Sequence, residues 1–160
     1  MRSAAIGLRS GCNIYQDVIL DHGRRPRHSG KLAAYDATAR GDNPLCGDRI
    51  TLWLQYAPTG AIARAGFEAK GCAISIASAD LMAETIAGLD AEAARTLAGA
   101  MQTLAKTGQA PPLDAALAER LERLLPLAGV HEFPSRVKCA TLPWHALLAA
   151  LAGTEDASSE

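Results

Sequence analysis

Aromatic side chains make up only 4% of this sequence, which excludes a core built on large rings. Hydrophobic residues still reach 49%, so the interior must be assembled mostly from Ala, Leu, Ile and Val. Neither sign of charge is in excess: sixteen Lys and Arg stand against seventeen Asp and Glu. That balance gives no electrostatic case for nucleic-acid binding, which needs a basic excess or stripe. No run approaches the roughly 18 consecutive apolar residues of a membrane span, so no membrane partner is expected. The opening MRSAAIGLRSGC has an apolar part only from Ala4 to Leu8 before Arg9 interrupts it, shorter than the roughly 7–15 residues of an export signal. A cytoplasmic location with reduced thiols is therefore expected. There is no CxxC pair, which disfavours a dithiol redox protein, and no internal repeat.

What is present fits one domain, with a core that needs no disulfide. Ile14, Tyr15, Val18, Ile19 and His22 recur at helical spacing, predicting a helix over 13–23 with Asn13 as its cap. A basic, turn-rich stretch follows from Arg24 to Gly30. Alternation of Ile50, Leu52, Leu54 and Tyr56 with polar neighbours predicts a half-buried strand, and the Pro58–Gly60 turn returns it as Ile62–Lys70. A weaker strand is expected around Tyr35–Gly41. Beyond Cys72 the period changes to that of helices: Ile74–Ala87, then a face marked by Leu89, Leu97 and Leu104, then one marked by Leu113, Leu117, Leu121 and Leu124. A last helix is predicted over Cys139–Ala152, with Pro143 in its first turn. Strands first and helices afterwards predict an α+β domain over 13–153. It would be a small antiparallel sheet of about three strands with helices on one face, between disordered tails at 1–12 and 154–160.

Three of the four cysteines sit at the ends of elements. Cys46 lies in the turn-forming DNPLCGD with Asp48 two residues on, Cys72 in KGCAIS between strand and helix, and Cys139 at the start of the last helix. All three places can fall at one end of a sheet. Three thiolates and one carboxylate oxygen there would suit tetrahedral zinc. The helix dipole would favour thiolate at Cys72 and Cys139. Such a site is negatively charged and needs cations, for which Arg49, Lys70, Arg136 and Lys138 are the candidates. The plainer alternative, cysteines packed as small hydrophobes, is open for each taken singly. His22, His28, His131 and His145 read as solvated, Arg24, Arg25 and Arg27 as a solvated loop or partner contact, and Cys12 as a spare thiol.

The blocks GDNPLCGDRI, KGCAISIASADLM and GVHEFPSRVKCATLPWHAL resemble, in this order, the NifU/IscU-like iron–sulfur cluster assembly family. The resemblance runs over roughly Ile14–Leu151 and is strongest to the SufU branch. IscU scaffolds typically carry histidine where this chain has Lys138, and the segment around Gly108–Ala128 resembles a SufU insertion. The resemblance implies zinc held by Cys46, Asp48, Cys72 and Cys139. It also implies a sulfurtransferase-like role with a SufS-type, pyridoxal-phosphate-dependent cysteine desulfurase, whose histidine displaces a zinc thiolate. Cys46 matches the sulfur acceptor and Arg136 a residue that tunes the thiolates. Iron–sulfur scaffold or acceptor proteins would be the further partners. Two alternatives share these ligands: a scaffold building a [2Fe–2S] cluster, and a non-catalytic zinc adaptor.

Overall fold

The computed structural model of the chain describes residues 15–158. Asn13, Cys12 and the expected 1–12 tail lie outside the described residues. Helix α1 occupies 15–24 and is followed by the loop 25–36. Strands β1 (Ala37–Asn43), β2 (Asp48–Tyr56) and β3 (Ile62–Lys70) form an antiparallel meander. Helices α2 (Ala73–Ile86), α3 (Ala91–Thr107) and α4 (Ala115–Glu122), a 3₁₀ segment (Leu125–Glu132) and α5 (Pro134–Ala152) complete the α layer.

Strand alternation decides which side of the sheet is covered. Ile50, Leu52 and Leu54 of β2 are buried beneath α5, and α2 lies over β3. Asp90 and Asp114 cap α3 and α4 by accepting the N–H of Ala93 and Leu117 at 2.8 and 2.9 Å. Helix α3 packs behind this layer, on α5 and the 3₁₀ segment. Arg120 of α4 donates to the carbonyls of Thr85 and Ala87, at 2.6 and 2.8 Å, so the expected insertion is docked on the C-terminal end of α2.

The α+β class holds, with two corrections. The sheet has four strands rather than three and is mixed, in the order β3-β2-β1-β4. The fourth, β4 (Asp156–Ser158), comes from the expected C-terminal tail and runs parallel to β1. Gly153, at φ 79°, turns the chain back after α5. The otherwise open edge of β1 then gains pairing, including Arg40 N–H to the Glu155 carbonyl at 2.6 Å.

The second correction concerns α5, which begins five residues before Cys139, with Pro134 at its first position. Pro143 is inside the helix, where it leaves the Cys139 carbonyl without its usual i+4 donor. Packing overrides that cost: Leu142, Trp144 and Leu147 are fully buried, and Ser78 of α2 braces the turn. The Trp144 indole N–H donates to Ser78 Oγ at 3.1 Å, and that hydroxyl donates to the Ala140 carbonyl at 2.5 Å.

Candidate metal centre

The β1–β2 hairpin places the first two candidate ligands. The Asn43 carbonyl accepts the N–H of Gly47 at 2.8 Å and of Cys46 at 3.2 Å, closing a tight turn in which Gly47 takes φ 73°. Cys46 is exposed on this turn beside Leu45, which is 72% exposed. Asp48 opens β2 and points to the helix side, where it is buried.

The β3–α2 corner brings the third. Gly71, at φ 148°, sits so close to the carboxylate that a Cβ there would lie 2.1 Å from Asp48 Oδ1. Cys72 is the N-cap of α2, half-buried, and its backbone N–H donates to the same oxygen at 3.0 Å. Cys139 completes the set from α5 and is buried.

Ligand atoms of Cys46, Asp48 and Cys139 lie within 4.8 Å of one another. Cys72 stands outside that three-way group, although its thiol neighbours that of Cys139. Burial first, then the neighbouring Asp48 carboxylate and Cys72 thiol, push the Cys139 thiol far above its ordinary range. Metal binding here must therefore expel a proton. The helix dipole does not help Cys139, which lies beyond the first turn of α5.

A metal fits this set on an observation independent of composition. Asp48 Oδ2 is buried with no hydrogen-bond partner among the described residues, while Oδ1 is held by Cys72. A carboxylate oxygen kept from both water and donors is costly unless a cation takes it. Thiolate and carboxylate donors in this number suit zinc, and thiolates equally hold iron–sulfur clusters.

The expected cations are placed differently. Arg49 alternates with Asp48 along β2, so it points to the opposite face, where it pairs with Asp42 at 3.7 Å. Lys70 is its cross-strand partner and shares that face. Arg136, in the first turn of α5, lines a groove of about 910 Å³ together with Cys72, Tyr15, Leu20 and Phe133. Lys138 is half-buried beside Cys139 in sequence.

Two histidines read as solvated are not. His22 of α1 bonds through Nδ1 to Asp80, and His28 Nδ1 lies 3.2 Å from the same carboxylate. Asp80 is fully buried on α2 and also accepts the N–H of Arg27 and His28, each at 2.8 Å. The cluster fastens α1 and the basic loop to the helix that Cys72 caps. Its signal in the sequence was an acid inside the apolar run of ASADLM. His131 is exposed, whereas His145 is half-buried on α5, where burial and then Lys106 hold its imidazole below the ordinary range. Arg25 and Arg27 pair with Asp21, and Arg24 is exposed. Asp80→Asn would leave the fold in place but weaken the clamp. We expect faster proteolysis within 22–30 and a melting temperature lower by about 4–12 °C, from roughly 2–3 kcal/mol for hydrogen bonds to a buried charge. Wild-type protection of the loop would refute the clamp.

Comparison with known proteins gives a consistent picture. Residues 14–140 match the family described as NifU-like N terminal domain. A zinc-dependent sulfurtransferase SufU from Bacillus subtilis is 37% identical over 134 residues, covering 84% of this chain and 86% of that protein. An iron-sulfur cluster assembly scaffold protein IscU from Streptococcus pyogenes is also 37% identical, over 139 residues, covering 87% and 83%. The crystal structure of a putative iron-sulfur cluster assembly scaffold protein for the SUF system, from Fervidobacterium islandicum, superposes with a TM-score of 0.72 at 30% identity, covering 84% of this chain and 94% of that one. Among the described residues no helix is long and apolar enough to cross a membrane.

Proposed function

The chain belongs to the NifU-like N-terminal domain family of iron–sulfur cluster assembly proteins, and we propose that within it the chain is a zinc-bound acceptor of sulfur from a cysteine desulfurase. The observation that carries this reading is the unequal exposure of the ligand set. Asp48 and Cys139 are buried, Cys72 is half-buried at a helix cap, and Cys46 alone is exposed on a turn. We read the three less exposed residues as retaining a metal and Cys46 as the one that leaves it.

Zinc, when bound, would keep the sulfur of Cys46 as a thiolate at neutral pH. Cys46 attacks the outer sulfur of the persulfide on the desulfurase cysteine. A new S–S bond forms on Cys46, the old one breaks, and the desulfurase cysteine departs as a thiolate. Asp48, Cys72 and Cys139 hold their positions meanwhile, since each is anchored in a strand or helix. Leu45 beside Cys46, and the groove of Tyr15, Leu20 and Phe133 beside Cys72, offer exposed apolar surface for a pyridoxal-phosphate-dependent desulfurase of the SufS type. Arg136 borders that groove with Cys72, and we assign it the tuning of the thiolates.

The second reading is a [2Fe–2S] scaffold on the same ligands, favoured by relatives named IscU at equal identity. Against it stand Lys138 before Cys139 and the insertion that forms α4. Turnover of a cysteine desulfurase with the zinc-loaded, iron-free protein separates the two. Stimulation of about tenfold or more supports sulfur acceptance, since relief of a rate-limiting persulfide raises the rate directly. No stimulation, with cluster assembly on added iron and sulfide, supports the scaffold.

A further inference from the structure

Beyond the four candidate ligands, the same end of the sheet buries polar atoms that nothing in the fold uses. Both amide atoms of Asn43 and the hydroxyl of Ser75 are fully buried and have no hydrogen-bond partner among the described residues. Their places are specific. Asn43 is the cross-strand partner of Asp48, so its side chain shares the helix-facing side of the sheet with that carboxylate. Directly opposed residues hold their Cβ atoms about 4.5–5.5 Å apart. Ser75 follows Cys72 by three residues on α2, which puts both on one side of the helix. The first is thus set beside Asp48, the second beside Cys72.

A buried donor without a partner in the chain calls for one outside it, such as an ordered water or a bound ion. Metal-bound thiolates carry excess negative charge, and donors to ligand atoms commonly steady such centres. Arg49 and Lys70 cannot serve, because both face away from Asp48. Resting on the metal reading above, we infer that Asn43 and Ser75 are positioning residues. They donate their unused N–H and O–H to the sulfur atoms of the metal centre and so offset its charge without a cation. In the metal-free protein the same groups are a liability, since they are desolvated with no partner.

That contrast distinguishes the role from ordinary packing. For Asn43→Leu and Ser75→Ala, zinc affinity is measured by competition with a chromophoric chelator, and stability by urea titration of the metal-free protein. Each variant is expected to bind zinc about 10- to 100-fold more weakly. Its metal-free urea midpoint should equal or exceed that of the wild type. In the cobalt-substituted protein, the thiolate-to-cobalt charge-transfer bands should shift to lower energy as the sulfurs lose donors. Unchanged affinity and bands in Ser75→Ala, or a lowered metal-free midpoint in both variants, would overturn the inference. If the wild type itself binds neither zinc nor cobalt, the metal reading fails instead, and the two failures are told apart by that control.

Discussion

Cys46→Ser should reduce persulfide acceptance from a cysteine desulfurase to the background level while leaving the metal-free fold as stable as before. The two halves of that result have different causes. The acceptor must be a thiolate, and a serine hydroxyl at neutral pH neither ionises nor exchanges with a persulfide. The fold is indifferent because Cys46 is exposed on a turn held by the Asn43 carbonyl, and surface changes of this kind shift stability by less than about 0.5 kcal/mol. Cys139→Ser should behave oppositely. That residue is buried, so its replacement leaves a smaller oxygen in a space shaped for sulfur and costs roughly 1 kcal/mol in packing even without metal. Mass spectrometry of the alkylated protein after incubation with desulfurase and cysteine reads the first half, and urea denaturation the second. A normal persulfide on the Cys46 variant would move the acceptor to Cys72 or Cys139.

Gly71→Ala is expected to damage both the fold and the candidate metal centre. Its φ of 148° is one that side chains rarely adopt, and the added carbon would meet Asp48 Oδ1 at 2.1 Å. Either the β3–α2 corner opens or the carboxylate moves, and both break the Cys72 N–H bond to Asp48. Strain alone costs about 1–3 kcal/mol. With the lost hydrogen bond to a charged group, a total near 4 kcal/mol corresponds to a melting temperature lower by roughly 8–16 °C. Bound metal should fall in parallel, because Asp48 belongs to the site. Gly47→Ala is the matched control: its φ is also positive, at 73°, but a Cβ there meets nothing within 4 Å. That variant should lose only about 1–2 kcal/mol. Equal melting temperatures for the two variants would show that the contact with Asp48 carries no weight.

Much of this arrangement is written locally in the sequence. The alternation of β2, the Pro58–Gly60 turn and the return of β3 depend on near neighbours, and each lies where expected. Cys46, Asp48 and Cys72 could be named for the same reason, since turn residues and element ends flank them, whereas Cys139 lies inside α5. What escaped was decided at a distance. Pro143 reads as a helix start, and only burial of Leu142, Trp144 and Leu147 against α2 and the sheet keeps it inside α5. Residues 156–158 are polar and read as tail, yet the open edge of β1 recruits them. His22 and His28 gained their partner from a helix more than fifty residues away, as the Asp80 contacts record. Strand parity alone puts Arg49 opposite to Asp48, so adjacency in sequence does not make it a neighbour of the site.

The most direct test of the central claim is elemental analysis of the protein purified without air, with an absorbance spectrum of the same sample. The account predicts about one zinc per chain, no iron and no visible bands, since zinc with thiolate and carboxylate ligands has no d–d or charge-transfer absorption in that range. Stoichiometric iron with acid-labile sulfide and visible charge-transfer bands would contradict it and make cluster assembly the function of Cys46, Asp48, Cys72 and Cys139.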